Sequence, residues 1–488
     1  MSPPTAMGLR KATRSLLQRQ SPGTRCGAAD VGWAKPAAPG CVAGADPARA
    51  PRAFSATAGH ILRKGPMRPA SLTPAPACCA VPRKPQRKDQ MTDVLAPTGA
   101  DIAAMPWIER LLAFDTTSRN SNLGLIETVR DHLRSAGVEP VLTHHASGAK
   151  ANLFATLPAH DGSSTGGIVL SGHTDVVPVD GQAWSSDPFR ASLRDGKLYA
   201  RGACDMKGFI GTALSLLPAM QATRLAKPLH LALSFDEEVG CVGAPLMIID
   251  LQARGVLPEG CIVGEPTGMR PVVAHKGINL YRCRVHGHAA HSALTPQGVN
   301  AIEYAARMIC FIRDLADKHR AEGPYDPHFE VPFTTAQTGM VSGGIANNVV
   351  PALCEFSFQV RNLPTVNADQ IIRQIQSHAQ DVLLPRMRAE HPDAGIEFSR
   401  IAVAPALDDA QEGAITQLVR ALTQDHDKRK ASYGTEAGLF KAAGIPTVIC
   451  GPGHIEQAHK ADEFVALEQL RECESFLRRV IRSMAVAD

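Results

Sequence analysis

The chain has 488 residues, 44% hydrophobic and 20% charged, which suits a soluble protein of two or three domains. No uninterrupted apolar run reaches the ~20 residues a membrane helix needs. The net charge of +4 conceals an uneven spread: residues 1–90 hold 15 Lys/Arg and 3 Asp, so +12, while the rest holds 36 basic and 44 acidic residues, so −8, and a body of that sign has no general attraction for nucleic acid.

Residues 1–90 also hold 13 of the 36 prolines and show no clear amphipathic helix. Stretches such as SPPTAMGL and SLTPAPACCAVPRKPQRKDQ cannot bury enough apolar surface to fold. This segment is expected to be a disordered N-terminal extension. It is Arg-rich and nearly free of acid, as organelle transit peptides are. Its length favours the other origin, upstream translation ahead of a start at Met91. The twelve cysteines lack CxxC spacing, and Cys204, Cys241, Cys261 and Cys450 sit near strand ends or in apolar contexts. They read as small buried residues in a reducing, cytoplasmic setting.

From about residue 98, helix and strand patterns alternate. IERLLAF and LIETVRDHLRSAG have helical spacing, the second closing at Gly137. NLFATLP and GIVLSGHTD read as strands, MKGFIGTALSLLPAM as a helix and LHLALSF as a strand. GAPLMIIDLQARG is helical and GCIVGEPTG is a short buried strand. This alternation predicts an α/β sheet with helices on its faces. Near Gly277 the rhythm changes. INLYRCRVHG predicts a strand, a helix follows over roughly 298–318, and TTAQTGMVSGG and ALCEFSFQVR predict two more strands. A helix over about 368–390 and the strand GIEFSRIAV complete the order βαββαβ, the ferredoxin-like plan. After about 404 the first style returns in ITQLVRALTQ, AGLFKAAG and IPTVICGPG. The expected organisation is a catalytic α/β domain in two parts, 98–277 and 404–488. An inserted α+β lid or dimerisation domain occupies 278–403.

The ends of the candidate strands carry the chemistry. VLSGHTD ends in His173 and Asp175, and YARGACDMKG puts Asp205 in a glycine-bracketed turn before a helix. LSFDEEVG supplies Asp236, Glu237 and Glu238, IVGEPTG supplies Glu265, and CGPGHIEQAHKADE supplies His454 and His459. In an open α/β sheet such ends gather at one edge, where ligands bind. Buried carboxylates repel one another unless a cation neutralises them. Mixed imidazole and carboxylate ligands suit Zn²⁺, and also Co²⁺ or Mn²⁺. His173 and Asp175 lie two apart on a strand and so face the same way, which lets Asp175 orient the imidazole.

The stretches SGHTDVVP, ARGACDMKG, FDEEVGCVG, GEPT, HGHAAHSA, NNVVP and YGTEAGLF…CGPGHIEQAHKADEF occur in this order. Together they resemble the co-catalytic zinc amidohydrolases of the M20 metallopeptidase family, over about residues 100 to 485. LLAFDTTSRNSNL and YGTEAGLFKAAGIPTVICGPG resemble the acetylornithine deacetylases among them. The resemblance implies two Zn²⁺ per subunit: His173 and Glu265 on one, Glu238 and His459 on the other, and Asp205 bridging both. It implies Glu237 as general base, Asp175 as the orienting acid, and His291 as a lid histidine that reaches into the partner subunit's site of a homodimer. Asn348 and Arg361 match lid residues that contact the substrate carboxylate. Thr435 and Glu436, in GTEAG, are further candidates at the substrate, Glu436 for a cationic side chain or else as a structural cap. Asp236 and His454 are expected to be structural.

The activity so implied is hydrolysis of N2-acetyl-L-ornithine to L-ornithine and acetate, in arginine biosynthesis. The alternatives are a sibling hydrolase, such as a succinyl-diaminopimelate desuccinylase, an aminoacylase or a glutamate carboxypeptidase, or a non-catalytic binding module on the same fold. The last is disfavoured because all five ligand positions and Glu237 are present.

Overall fold

A computed structural model describes residues 102–408 and 413–487. The N-terminal extension expected at 1–90 lies outside these residues. The described strands, in chain order, are β1 (Val141–His144), β2 (Ala151–Leu157), β3 (Ile168–His173), β4 (Ser192–Arg194), β5 (Lys197–Tyr199), β6 (Leu229–Ser234), β7 (Gly260–Pro266) and β8 (Val272–His275). They continue with β9 (Ile278–His286), β10 (Thr335–Gly343), β11 (Leu353–Arg361), β12 (Gly395–Ala404), β13 (Leu407–Asp408), β14 (Arg429–Ala431), β15 (Thr447–Gly451) and β16 (Phe464–Ala466).

The large sheet has the order β1-β2-β6-β3-β7-β15-β8-β13, with β14 also paired to β8. Its centre is parallel: β3 pairs with β6 and β7, and β15 with β7. These strands are almost wholly buried, as central strands covered on both faces must be. Successive side chains go to opposite faces. Leu170, Leu229, Leu231, Leu233, Ile262 and Val448 join one core, while Val169, Ala232, Cys261, Val263 and Ile449 join the other. The first core is closed by helices Leu123–Ser135, Lys207–Ser215 and Leu467–Ser483, the second by Ala244–Ala253 and Ala437–Ala442. Gly264 has to lack a side chain, because a Cβ there would stand 2.1 Å from the Phe209 ring.

The second sheet has the order β10-β11-β9-β12, all antiparallel, and is made by one continuous segment from Ile278 to Ala404. Read in chain order, this is the expected ferredoxin-like plan. Tyr281, Cys283, Val285, Cys354, Phe356, Phe358 and Val360 face helix Ala301–Glu322 and the helical run from Ala368. Asn300 caps the first helix through the amides of Ile302 and Glu303. The second runs as α-helix Ala368–Ser377, a π segment His378–Leu383 and α-helix Leu384–Glu390. The break answers Pro385, which has no amide to donate and crowds the preceding turn.

The sheets are joined by two adjacent crossings. β9 starts three residues after β8 ends, β13 starts three residues after β12 ends, and Leu407 pairs with His275. The loop of Asp236–Cys241 packs onto these crossings. Cys241 clusters with Ile278 and Ala404, and a Cβ on Gly240 would lie 2.0 Å from the Ala402 Cβ. Gly240 also has φ +111°, which disfavours any other residue. Gly240→Ala is expected to cost about 1–3 kcal/mol through overpacking and backbone strain, read as a lowered urea midpoint. An unchanged midpoint would show that this crossing is loose.

Candidate active site

The parallel strands deliver the acids and imidazoles to one edge. His173 is the last residue of β3, Glu265 lies near the end of β7, and Asp236, Glu237 and Glu238 follow β6. Asp205 sits in the turn before helix Lys207–Ser215, and His459 lies in the loop after β15. His173, Asp205 and Glu265 are almost fully enclosed, with 1%, 4% and 3% of their surface exposed.

The structure brings the five expected ligand residues into contact. Asp205 stands between the two imidazoles: its Oδ1 is 2.9 Å from His173 Nε2 and its Oδ2 is 3.3 Å from His459 Nε2. His459 Nε2 is also 3.0 Å from Glu238 Oε2. Glu265 Oε1 is 3.9 Å from His173 Nε2. One ligand atom from each of His173, Asp205 and Glu238 lie within 4.8 Å of one another, as do those of His173, Glu237 and Glu265. This donor set of two imidazoles and clustered carboxylates fits divalent cations.

Asp175 works behind this layer. His173 Nδ1–H donates to the Asp175 carbonyl at 2.9 Å, which turns Nε2 towards Asp205. The Asp175 carboxylate accepts from the amides of Glu237 (3.0 Å) and Glu238 (3.2 Å) and from the Ser118 hydroxyl (2.7 Å), so it also fixes the acidic loop. The Cys241 thiol donates to Glu237 Oε1 at 3.2 Å. Asp236 turns away to an ion pair with Lys150 at 2.5 Å, the structural role expected of it.

Burial and mutual repulsion divide the acids. Burial, reinforced by the neighbouring carboxylates, pushes Glu237 up to about 8, Glu238 up to about 7 and Glu265 well above the usual range. Burial also opposes ionisation of Asp205 and Asp175, but hydrogen bonds from His173, joined at Asp205 by His459 and at Asp175 by Ser118, hold both below the ordinary value. Hydrogen bonds to Asp205 and Glu238 raise His459 to about 10. Burial opposes charge on His173, but Asp175 and Asp205 carry it well above the usual value.

The substrate-side candidates are distributed differently. Arg361, at the end of β11, is partly buried, feels the charge of Glu237, and donates to Gln359 Oε1 at 3.2 Å. No carboxylate among the described residues forms an ion pair with it. His291 and Asn348 lie side by side in the inserted segment, both exposed, with the Ser292 amide on the Asn348 carbonyl at 3.0 Å. His291 Nδ1 accepts from the Ala293 amide. Among the described residues no hydrogen bond or ion pair joins His291 or Asn348 to the acidic cluster. Thr435 and Glu436 are enclosed, and Thr435 Oγ1 accepts from the Ala437 amide at 3.1 Å. Glu436 accepts the hydroxyls of Ser171 (2.7 Å) and Ser234 (2.6 Å) and has 0% of its surface exposed, so it is held within the protein and not presented at the surface of the site.

Two buried residues at this edge lay outside the sequence reading. Arg201 and Glu463 form an ion pair at 2.6 Å, each 1% exposed. Both lie within the stretches ARGACDMKG and CGPGHIEQAHKADEF that carry the family resemblance, but nothing local in either shows that they pair.

Residues 169–483 match the sequence family described as Peptidase family M20/M25/M40. This chain belongs to that family. An acetylornithine deacetylase of Myxococcus xanthus is 35% identical over 379 residues, covering 77% of this chain and 95% of the relative. One from Pasteurella multocida (strain Pm70) is 33% identical over 362 residues, covering 74% and 91%. Among solved structures, an M20 family metallo-carboxypeptidase from Sulfolobus solfataricus superposes with a TM-score of 0.60 at 17% identity, covering 78% of this chain and 98% of that one. The chain is therefore a metal-dependent hydrolase of the M20 type. The sequence-based reading of family, fold class and enzyme type agrees with these likenesses.

The protonation pattern gives a testable sign. Without metal, His459 is protonated at neutral pH, held so by Asp205 and Glu238, and Glu237 and Glu238, raised to about 8 and about 7, are partly protonated. A cation needs its ligands His459 and Glu238 deprotonated, so its binding releases protons and its affinity rises as pH rises from 6 to 8. Calorimetric titration of the metal-free protein with zinc, in buffers of different ionisation enthalpy, should report this release. A pH-independent affinity with no proton release would contradict the arrangement.

Proposed function

We propose that this chain hydrolyses N2-acetyl-L-ornithine to L-ornithine and acetate, as a cytoplasmic co-catalytic di-zinc amidohydrolase of arginine biosynthesis. The observation that carries the di-metal part is the two-sided Asp205 carboxylate, with one oxygen facing each imidazole. The substrate is supported by relatives bearing the acetylornithine deacetylase name, matched over more than nine-tenths of their length.

His173 and Glu265 would hold one zinc, Glu238 and His459 the other, and Asp205 both, with Co²⁺ an acceptable substitute. Bound there, the cations would supply Lewis-acid polarisation of the acyl carbonyl and would lower the pKa of water towards ~7. Glu237 is the general base. Its Oε1 is occupied by the Cys241 thiol, leaving Oε2 to take the proton of the attacking water and return it to the departing amine. Asp175 keeps the His173 proton on Nδ1. Arg361, a partly buried guanidinium without a carboxylate partner among the described residues, binds the substrate α-carboxylate in bidentate fashion. Asn348 supports it, and His291 stabilises the developing oxyanion in the partner subunit's site.

A homodimer through the inserted segment supplies that geometry. Strand β10 is an exposed edge with Met340 75%, Val341 62% and the adjoining Ile345 89% exposed, an apolar border suited to a second copy. Glu436 supports the site from behind through Ser171 and Ser234, and Thr435 does so through the Ala437 amide that follows it.

Glu237→Gln should lower kcat by ~10²–10⁴ with zinc content unchanged by elemental analysis. Wild-type turnover in this variant would remove Glu237 from its role. Activity on acetylornithine well above that on N-acetylmethionine and N-succinyl-diaminopimelate is expected. The reverse order would assign a sibling activity, and no hydrolysis by metal-loaded protein would favour a binding module. Val341→Lys should yield a monomer by light scattering, with kcat strongly reduced. Full activity as a monomer would remove the trans role of His291.

A further inference from the structure

The loops that carry Asp205 and His459 are far apart in the sequence, one near its middle and one near its C-terminal end. They meet through a small sheet of order β16-β5-β4, in which Phe464 pairs with Tyr199 and the Ala200 amide donates to the Glu463 carbonyl at 3.1 Å. At the end of this pairing lies the buried pair Arg201–Glu463. Glu463 Oε1 accepts three backbone donors of one turn, the amides of Gly202 (3.0 Å), Cys204 (3.0 Å) and Asp205 itself (3.1 Å), across 258 positions in the last case. Its Oε2 faces Arg201 Nη1 at 2.6 Å. The same guanidinium reaches the other loop. Nη1 donates to the Lys460 carbonyl at 3.3 Å, and Nη2 donates to Gln182 Oε1 at 2.5 Å. Gln182 Nε2 in turn donates to the His459 carbonyl at 3.1 Å. One carboxylate therefore holds the backbone beneath Asp205, and its counter-cation holds the backbone beneath His459.

Stability alone is a poor reason for this device. A buried ion pair replaced by apolar groups is often neutral or stabilising, because desolvation offsets the Coulomb attraction. What such a pair provides is a fixed geometry through its directional hydrogen bonds; here both Glu463 oxygens and both terminal Arg201 nitrogens are partnered, while Arg201 Nε has no partner among the described residues. His459 has need of that. Its side chain is half exposed, and its backbone has φ +63°, so little packing sets where Nε2 stands.

We infer that Glu463 and Arg201 are positioning residues of the metal centre. The buried pair sets the distance between Asp205 and His459, and hence the affinity for the cation those two share. This rests on the ligand assignment proposed above.

The test titrates zinc into metal-free wild type, Glu463→Gln, Gln182→Leu and Asp205→Asn against a competing chelating dye, with melting curves of the metal-free proteins and kcat and KM of the loaded ones. Gln at 463 sets an amide donor against Arg201 while keeping the side-chain shape. Glu463→Gln should weaken one of the two zinc ions by about 10–100-fold, the range for residues that orient metal ligands, lowering kcat with little change in KM. Gln182→Leu, which cuts only the link to His459, should weaken the same ion to a smaller extent without lowering the melting temperature. A lowered melting temperature for Glu463→Gln with wild-type zinc affinity would reduce the pair to a structural one and overturn the inference. If Glu463→Gln does not fold, Gln182→Leu decides, and wild-type affinity there overturns it. Asp205→Asn separates the premises. Undiminished zinc binding in that variant defeats the ligand assignment itself, whereas lost binding there beside wild-type binding in Glu463→Gln defeats only the positioning role.

Discussion

Like charge forced together at the edge of a parallel sheet is the constraint around which this molecule is organised. Asp175, Asp205, Glu237, Glu238 and Glu265 meet two imidazoles in one enclosed corner. Burial penalises every ionised carboxylate, so the acids can share the corner only by becoming unequal. Asp205 and Asp175 stay ionised because imidazole and other hydrogen-bond donors surround them. Glu237, Glu238 and Glu265 are pushed upward because burial and neighbouring charge act on them together. A group with a raised value is suited to accept a proton near neutral pH, and Glu237 is such a group.

The supporting structure follows from holding that corner still. Asp175 ties the acidic loop to His173 through two backbone amides. Glu436 joins β3 to β6 from below through one serine on each strand, immediately behind His173. The acidic loop itself rests on both crossings to the second sheet, by Gly240 against Ala402 and Cys241 against Ile278 and Ala404. The corner is thus fastened on the side of each element that reaches it.

Much of this was legible in the residues. The strands β2, β3, β6, β7, β9, β10, β11, β12 and β15 were marked by runs long enough to show period and composition, and the ferredoxin-like order followed from β9 to β12. The short strands β1, β4, β5, β8, β13, β14 and β16 were not marked, because two to four residues hold too few positions for a period to show. The three-stranded sheet that joins the Asp205 and His459 loops was therefore missed, and with it the Arg201–Glu463 pair. The enclosed position of Glu436 was likewise invisible, since its serine partners stand 265 and 202 positions away.

By itself the sequence determined which chemical groups stand at the ends of which strands, because alternation and turn residues are local properties and the motifs are short. It determined the family and the class of chemistry for the same reason. Tertiary structure alone decided how the groups face one another. It set the two oxygens of Asp205 against different imidazoles, enclosed Glu436 and left Arg361 without an acidic partner among the described residues. Those outcomes depend on which distant backbones come within 3 Å, a distance set by packing and the closure of the sheet, and not by any local pattern.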